Sequence, residues 1–190
     1  MARTPDEHLK ERILDVAQGL LRSQGEKGIT LRAVADAAGT TTPTVYKRFP
    51  DKSAILLALA LRARERYVKR QSQRKSLRSA AEGYLDWAVE HPHEYKLIYG
   101  PYWTKVFAIE MGRPGLEWLQ EKLAELHGGD PQEYELAGTA LWMLMHGAAS
   151  LLSQEPTGRT PDEIRRKCLA ACDRLLENSS ILRQKPSAQK

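Results

Sequence analysis

The segment Thr30–Lys52 constrains the fold of this chain more than any other part of the sequence; it reads TLRAVADAAGTTTPTVYKRFPDK. Its first residue can cap a short helix that runs to about Ala37 and carries an apolar face at helical spacing. Gly39 then tolerates the left-handed conformation that ends this helix and turns the chain. The first half of the segment therefore predicts a short helix followed by a tight turn.

The second half of the segment predicts another short helix. Thr41 or Thr42 can act as its N-cap, and Pro43 suits the first helical position, where a missing N–H group costs little. Pro50 ends the helix. Two short helices around a tight turn are typical of a helix–turn–helix, whose second helix must be short, polar outside and rigidly held to enter a major groove.

The flanking sequence predicts an all-α fold. Apolar residues recur at helical spacing from Leu9 to Leu21, so this first helix should pack under the helix–turn–helix as the third helix of a DNA-binding head. After the head, the run from Lys52 to about Lys75 predicts one long helix. The remainder shows capping signals and helical periodicity, for a total of eight or nine helices, and no alternation of period two that would indicate strands.

The net charge of +5 is unevenly distributed along the chain. Residues 1–78 contain 17 Lys or Arg against 8 Asp or Glu, a net +9, whereas residues 79–190 contain 12 against 16, a net −4. A basic N-terminal part joined to a mildly acidic remainder fits a nucleic-acid-binding head on a body with another role. The alternative is that the basic run is a solvated helix face.

Composition argues against membrane, secreted and metal-binding proteins. Hydrophobic residues make up 42% of the 190, enough for a packed core, but no apolar run approaches the roughly 18 residues of a membrane span. The N-terminus MARTPDEHLK has no signal-peptide core, so we expect a cytoplasmic protein with no membrane partner. Cys168 and Cys172 lie four residues apart, which suits neither a disulfide framework nor a zinc site, and no cofactor is expected.

The head also resembles a known family. A helix-capping threonine, an Ala-x-x-x-Gly turn, a Tyr-x-x-Phe recognition helix and a lysine opening the next helix are similar to the pattern of the TetR family of transcriptional repressors. The residues that carry this resemblance are Thr30, Arg32, Ala35, Gly39, Thr44, Tyr46, Phe49, Pro50 and Lys52. The resemblance implies a helix-turn-helix DNA-binding domain over residues 1–52, extending into the long helix to about residue 75. It also implies a helical ligand-binding and dimerisation domain over residues 53–190.

Several residues of the head are candidates for contacts with double-stranded DNA. Those at the start of the recognition helix lie at the end that reaches base edges, where a threonine can exchange hydrogen bonds or touch a thymine methyl. This tip comprises Thr41, Thr42, Pro43 and Thr44. Lys47 can reach guanine or a phosphate. The resemblance implies phosphate contacts for Thr30, Arg32, Tyr46 and Lys52.

The resemblance further implies a homodimer that reads the two half-sites of a palindromic operator. We expect the dimer surface on the last two long helices, because small and branched apolar residues there allow close packing in a four-helix bundle. The candidate interface residues are Leu144, Gly147, Ala148, Leu151, Ile164, Cys168, Ala171, Cys172 and Leu175.

The body is rich in aromatic residues with polar tips, and its helices are interrupted by prolines, which together indicate a ligand cavity. The segment Trp142–Gly147, WMLMHG, resembles the Trp-x-x-x-His-Gly signature of one subclass of TetR C-terminal domains. The candidate ligand-binding residues are Trp87, Tyr95, Tyr99, Trp103, Phe107, Trp118, Trp142, Met143 and His146. The alternative for each of them is a place in the core. The expected ligand is a small apolar or aromatic molecule with one or two polar anchors.

The expected function is that of a ligand-responsive transcriptional repressor, released from DNA by its effector. An enzyme is the rival class, because two histidines and two carboxylates lie close together in the sequence: Asp86, His91, His93 and Glu94. These histidines lack the i, i+4 spacing of ligands on one helix face, and the chain has no nucleophile elbow, phosphate loop or cofactor motif. We therefore expect no enzymatic activity. A ligand-independent regulator and a redox switch at the two cysteines stay open.

Overall fold

The computed structural model describes residues 5–109, 114–154 and 160–178, together with residue 183. Every regular element within these ranges is helical, which confirms the all-α class, although the sequence predicted only eight or nine helices. The α-helices are α1 Pro5–Gln24, α2 Leu31–Ala37, α3 Thr42–Tyr46, α4 Lys52–Gln71, α5 Leu77–Glu90, α6 Pro92–Tyr99, α7 Trp103–Ile109, α8 Pro114–His127, α9 Glu135–Leu152 and α10 Pro161–Glu177. Two 3-10 helices cover Glu26–Gly28 and Pro131–Tyr134.

The chain forms two compact units. The first comprises Met1–Arg66 and His93–Ile109, and the second comprises Tyr67–Pro92 and Glu110–Lys190. The division passes through α4, and the chain returns to the first unit at the start of α6. The functional domains expected from the sequence, residues 1–52 with an extension to about 75 and residues 53–190, stay a prediction.

The core of the first unit is built on the apolar stripe of α1. Ile13, Ala17 and Leu21 recur at helical spacing and are buried against the helices of the helix–turn–helix and the first half of α4, as the sequence predicts. Leu97 of α6 and Val106 of α7 belong to the same cluster. The head and the segment 93–109 therefore share one hydrophobic core.

The second unit is organised around α9, which packs against α5, α8 and α10. Leu141, Met145 and Ala149 of α9 are buried. None of the helices in the described ranges is long and apolar enough to cross a bilayer.

The end of α4 differs from the prediction. This helix stops at Gln71 and does not continue to about Lys75, because a capping box starts α5 immediately afterwards. The Ser76 side chain accepts a hydrogen bond from the Ser79 N–H at 3.1 Å, and the Ser79 hydroxyl accepts one from the Ser76 N–H at 3.2 Å.

The sequence Asp130–Glu133 is a capping signal that predicts the start of the long apolar helix, but the structure places the start of this helix, α9, further along the chain. Asp130 caps a 3-10 turn, with its carboxylate accepting from the Gln132 N–H at 2.8 Å, and α9 itself begins only at Glu135. Tyr134 causes the delay: it is fully buried, and its hydroxyl donates to the Gly128 carbonyl at 2.7 Å. The sequence Thr4–Glu7 also predicts a capping box at the start of α1, and its capping residue, Thr4, lies outside the described residues.

Candidate functional site

A rigid scaffold holds the turn between α2 and α3. The Thr30 side chain caps α2 by accepting from the Ala33 N–H at 3.1 Å. Gly39 has a φ of 60°, in the left-handed region that closes a helix at low cost only for glycine. Val34 of α2 and Val45 of α3 are both fully buried and lock the two helices together. The orientation of α3 is therefore fixed by packing, as a base-reading helix requires.

The first residues of α3 form the predicted base-reading tip. Thr41 is the N-cap, because its carbonyl accepts from the Thr44 N–H at 2.9 Å, and its hydroxyl lies 2.8 Å from the Thr44 hydroxyl. The helix begins at Thr42, so Pro43 occupies the second helical position and not the first. Pro43 is exposed and Thr42 is half-buried. One hydroxyl donates to the other, so the accepting hydroxyl keeps its own O–H to donate to a base edge, and both oxygens can still accept a hydrogen bond.

Three other candidate DNA contacts point to solvent. Tyr46 is 53% exposed and Lys47 is exposed beside it. The Arg32 guanidinium lies 3.9 Å from the Asp36 carboxylate in an exposed i, i+4 pair, which contributes little to stability. All three side chains are accessible to a phosphate backbone.

Lys52, a further predicted phosphate contact, is bound to the 3-10 turn that follows α1. Its ammonium donates to the Glu26 carbonyl at 2.8 Å and lies 4.0 Å from the Glu26 carboxylate. An ammonium carries three donors, so the remaining N–H groups can still meet a phosphate. Lys52 thus combines a structural bond with an accessible positive charge.

The basic run on α4 is partly engaged in ion pairs within the first unit. Arg62 bridges Glu11 and Asp15 of α1, with 2.7 Å between its Nη1 and the Asp15 Oδ1. Arg66 Nη2 lies 2.7 Å from Oε2 of Glu94 on α6. The sequence analysis interpreted this basic run either as part of a nucleic-acid-binding head or as a solvated helix face. Neither interpretation included arginines that form ion pairs with other helices.

In the second unit, a connected row of aromatic rings joins α4, α5 and α9. Tyr67 contacts both Tyr84 and Trp87, with 5.7 Å between ring centroids in each pair. The Tyr84 hydroxyl lies 3.1 Å from Nδ1 of His146, whose ring stacks on Trp142 at 5.1 Å. We call these five residues the aromatic cluster. The sequence singled out three of them but missed both tyrosines, because nothing local pairs Tyr84 with a histidine 62 residues away.

The chemistry of the aromatic cluster suits an apolar ligand with a polar anchor. Burial lowers the pKa of His146, which favours the neutral imidazole. A neutral ring that accepts from the Tyr84 hydroxyl at Nδ1 carries its proton on Nε2 and can donate from there. Apolar ring faces beside a small number of placed polar groups are the usual composition of a small-molecule site.

The nine residues predicted to line a cavity are divided between the two units. Tyr95 is buried and its ring centroid lies 4.9 Å from that of Tyr99, whereas Met143 is 61% exposed. The side chain of Phe107 lies outside the described part of the structure. The first unit holds Tyr95, Tyr99, Trp103 and Phe107, and the second holds Trp87, Trp118, Trp142, Met143 and His146. Their grouping around one cavity stays a prediction.

The predicted interface residues of α9 and α10 fall into two groups. The buried group consists of Ala148, Cys168 and Cys172, which pack inside the second unit. The accessible group consists of Leu151 and Gly147, which are exposed, and of Leu144, Ile164, Ala171 and Leu175, which are half-buried. Intramolecular packing accounts for the first group, and the second is free to meet a partner chain.

The residues of the two alternative sites, the redox switch and the enzyme site, take part in packing contacts. The Cys168 and Cys172 thiols are free and buried, and their mutual hydrogen bond together with burial raises the pKa of Cys172. His91 packs on Trp87 with ring centroids 4.3 Å apart. Among the described residues, no group of three or more His, Cys, Asp and Glu side chains could hold a metal ion.

Comparison with known proteins decides the family. Residues 13–59 match the model of bacterial regulatory proteins of the tetR family, and residues 77–175 match that of the tetracyclin repressor-like C-terminal domain. The chain belongs to the TetR family. This membership confirms a DNA-binding transcriptional regulator. The Trp-x-x-x-His-Gly subclass of the TetR C-terminal domain stays a prediction.

One relative matches a short stretch of the chain. A protein of Xanthobacter autotrophicus, described as an uncharacterized HTH-type transcriptional regulator in the dhlA 5′ region, is 42% identical over 60 residues. That match spans 32% of this chain and 28% of the relative.

Solved structures of TetR proteins share the fold along almost the whole chain. A TetR from Streptomyces coelicolor superposes with a TM-score of 0.65 at 20% identity, covering 93% of this chain and 99% of that one. A TetR-like regulator from Rhodococcus sp. RHA1 gives 0.62 at 20% identity, with 92% and 99% covered. Thermus thermophilus FadR, a TetR family transcriptional repressor in complex with lauroyl-CoA, gives 0.57 at 20% identity, with 95% and 100% covered. At such identities these likenesses establish the fold alone.

Proposed function

We propose that this TetR-family chain is a homodimeric, ligand-responsive repressor that binds a palindromic operator and is released by a small apolar or aromatic effector. One observation carries the DNA-binding part. A short helix, α3, is locked by buried Val34 and Val45 while its N-terminal tip and the Tyr46 and Lys47 side chains stay accessible. A rigid, short, polar-faced helix is what a major groove accepts.

Two variants separate base reading from phosphate binding. Thr44→Ala removes a hydroxyl from the tip, so it should change which duplexes are preferred. Lys52→Ala removes a positive charge, so it should weaken binding to all duplexes and reduce the slope of log K against log salt by about one. Fluorescence anisotropy on a panel of duplexes at several salt concentrations measures both effects. If both variants bound every duplex like the parent, neither α3 nor the N-terminus of α4 would belong to the DNA interface.

The accessible residues of α9 support the dimer. Leu136, Met143 and Leu151 expose 45%, 61% and 46% of their surface on one helix. Between them lies Gly147, where an added Cβ would meet no atom of this chain within 4 Å. Exposed apolar residues on both sides of a small residue are typical of a helix–helix seam between subunits.

The aromatic cluster supports the effector. A ligand releases the protein from DNA only if it binds the non-binding arrangement more tightly, and such coupling is typically about 1–3 kcal/mol. The relative from Thermus thermophilus was solved with lauroyl-CoA, so a long acyl chain is a reasonable first probe. Lauroyl-CoA that binds the protein should quench its tryptophan fluorescence and raise the Kd for DNA about five- to 150-fold.

The His146→Phe variant tests whether the cluster receives the probe. It keeps an aromatic ring at this position but removes the imidazole N–H donor. The variant should therefore bind lauroyl-CoA more weakly while keeping the parent's affinity for DNA. Should the parent's DNA affinity be unaffected by saturating lauroyl-CoA, that effector is excluded. A redox switch is less well supported than a ligand, because both cysteine thiols are buried, whereas redox-sensing cysteines are usually accessible to an oxidant.

A further inference from the structure

Glu94, near the start of α6, is a buried carboxylate in the first unit. It exposes 1% of its surface, although acidic side chains are almost never fully buried unless they are paired. The proposed DNA-reading tip and the aromatic cluster do not include this residue. Its burial therefore calls for a role of its own.

Side chains from two helices of the first unit pair with the Glu94 carboxylate. Gln18 Nε2 and Arg22 Nε lie four residues apart on α1, and each donates to Oε1 at 3.0 Å. Arg66 Nη2 of α4 lies 2.7 Å from Oε2. One oxygen thus holds α1 and the other holds α4. Glu94, Gln18, Arg22 and Arg66 form what we call the Glu94 cluster.

The Glu94 cluster keeps this carboxylate ionised. Burial opposes ionisation and is the largest influence on its pKa, yet the hydrogen bonds from Arg66, Gln18 and Arg22 together lower the pKa below its ordinary value. A buried carboxylate that loses its counter-charges is strongly unfavourable. Displacing α6 from α1 or α4 therefore costs a large amount of free energy unless the carboxylate gains new partners. For this reason we infer that the three helices move together.

The position of the Glu94 cluster along the chain makes this coupling relevant to regulation. Arg66 is the last residue of the first unit before the chain enters the second, and His93 is the first residue after it returns. The His93 ring also covers Gly25 at the end of α1, where an added Cβ would lie 3.0 Å from the imidazole. Of these two boundary residues, Arg66 is therefore paired with α6, and His93 lies against the residue that follows α1.

We propose that Glu94 is a positioning residue for DNA binding, and that its contacts with Gln18, Arg22 and Arg66 are what links α6 to the helix–turn–helix in one conformational equilibrium. This inference rests on the proposed DNA-binding function. A change that displaces α6 lowers the fraction of heads that can bind DNA. Since coupling between two sites is reciprocal, DNA bound to the head must also stabilise α6.

The first test compares Glu94→Gln with the parent on a duplex selected from random DNA. Glutamine keeps the shape of the side chain but removes its charge, so fewer heads should occupy the binding arrangement. The apparent Kd should rise about tenfold, in proportion to that lost fraction. The slope of log K against log salt should match the parent, because no phosphate contact is removed. A reduced slope would identify Glu94 cluster residues as direct contacts and overturn the positioning role.

Asp15→Asn is the matched control. Asp15 also joins α1 to an arginine of α4, Arg62, but this pair does not involve α6. The Kd of Asp15→Asn for DNA should stay within about twofold of the parent's, because exposed ion pairs contribute little free energy. If Glu94→Gln fails to fold, Arg66→Lys decides the question, because a lysine keeps the charge but not the guanidinium geometry and should raise Kd at least about threefold.

Hydrogen exchange of the α6 amides gives a second readout that a purely structural role would not produce. Saturating the parent with the selected duplex should slow exchange in α6 about fivefold or more, although α6 is not a proposed DNA contact. In Glu94→Gln this protection should disappear. A folded variant that binds DNA like the parent and keeps the protection would overturn the inference. A parent that selects no duplex at all would instead overturn the proposed function.

Discussion

Replacing Gly147 by alanine distinguishes a free helix surface from a seam between subunits. Gly147 is an exposed residue inside α9, and an added Cβ meets no atom of this chain within 4 Å. In a lone chain, alanine should therefore stabilise the helix by about 0.8–1 kcal/mol, the difference in helix propensity. Gly19, inside α1, has equally open surroundings and provides the matched control.

In the proposed dimer the two substitutions have opposite consequences. If two α9 helices approach closely at Gly147, one added methyl on each chain overfills the seam, at a cost of about 1–3 kcal/mol. Because about 1.4 kcal/mol corresponds to a tenfold change in Kd, the dimer affinity should then fall about five- to 150-fold. Gly19→Ala should leave the dimer affinity unchanged and raise Tm by about 2–4 °C.

Sedimentation equilibrium measures the dimer Kd of the parent and of both variants. Thermal unfolding followed by circular dichroism at two protein concentrations then shows how far stability depends on association. Gly147→Ala should unfold below the parent at the lower concentration. If it gains as much stability as Gly19→Ala and dimerises like the parent, no close approach exists at Gly147.

Three further predictions concern local features. Because Gly39 has a left-handed φ, Gly39→Ala should lower the free energy of unfolding, measured by urea titration, by about 1–2 kcal/mol, and Gly39→Asn should lower it less. Equal losses in the two variants would point to a cause other than backbone conformation. The lowered pKa of Glu94 stabilises the fold above its ordinary pKa near 4.5, and this contribution is lost as the pH falls through the folded value, so parent and Glu94→Gln should converge in acid. A stability difference between the two proteins that does not shrink as the pH falls below about 4.5 would contradict this. The His146 imidazole should titrate below about 6.5 by NMR, and stability should fall as the pH drops from there through the folded pKa; a midpoint above 6.5 would argue against a desolvated ring.

The head could be read from the sequence because its signals are local. The Thr30 cap reaches only Ala33, and the turn depends on the conformational freedom of one residue, Gly39. The apolar stripe of α1 is likewise a periodic pattern within a single helix. Such features need no knowledge of how distant segments meet.

The contacts that join distant segments could not be read in this way. Glu94 is bonded to Arg22 and Gln18, which lie 72 and 76 residues away, and the sequence analysis considered it only as part of an enzyme site. Tyr84 reaches His146 across 62 residues. Spacing along a chain identifies helix faces, but it does not say which polar groups meet once those faces pack.

Selection of random duplex DNA on the purified protein, followed by sequencing of the bound fraction, tests the central claim most directly. The account predicts a palindrome of two short half-sites about one helical turn apart, because two copies of α3 related by a two-fold axis read successive major grooves. Salt-sensitive binding without a common motif would contradict it, since that result would leave α3 with no role in reading sequence.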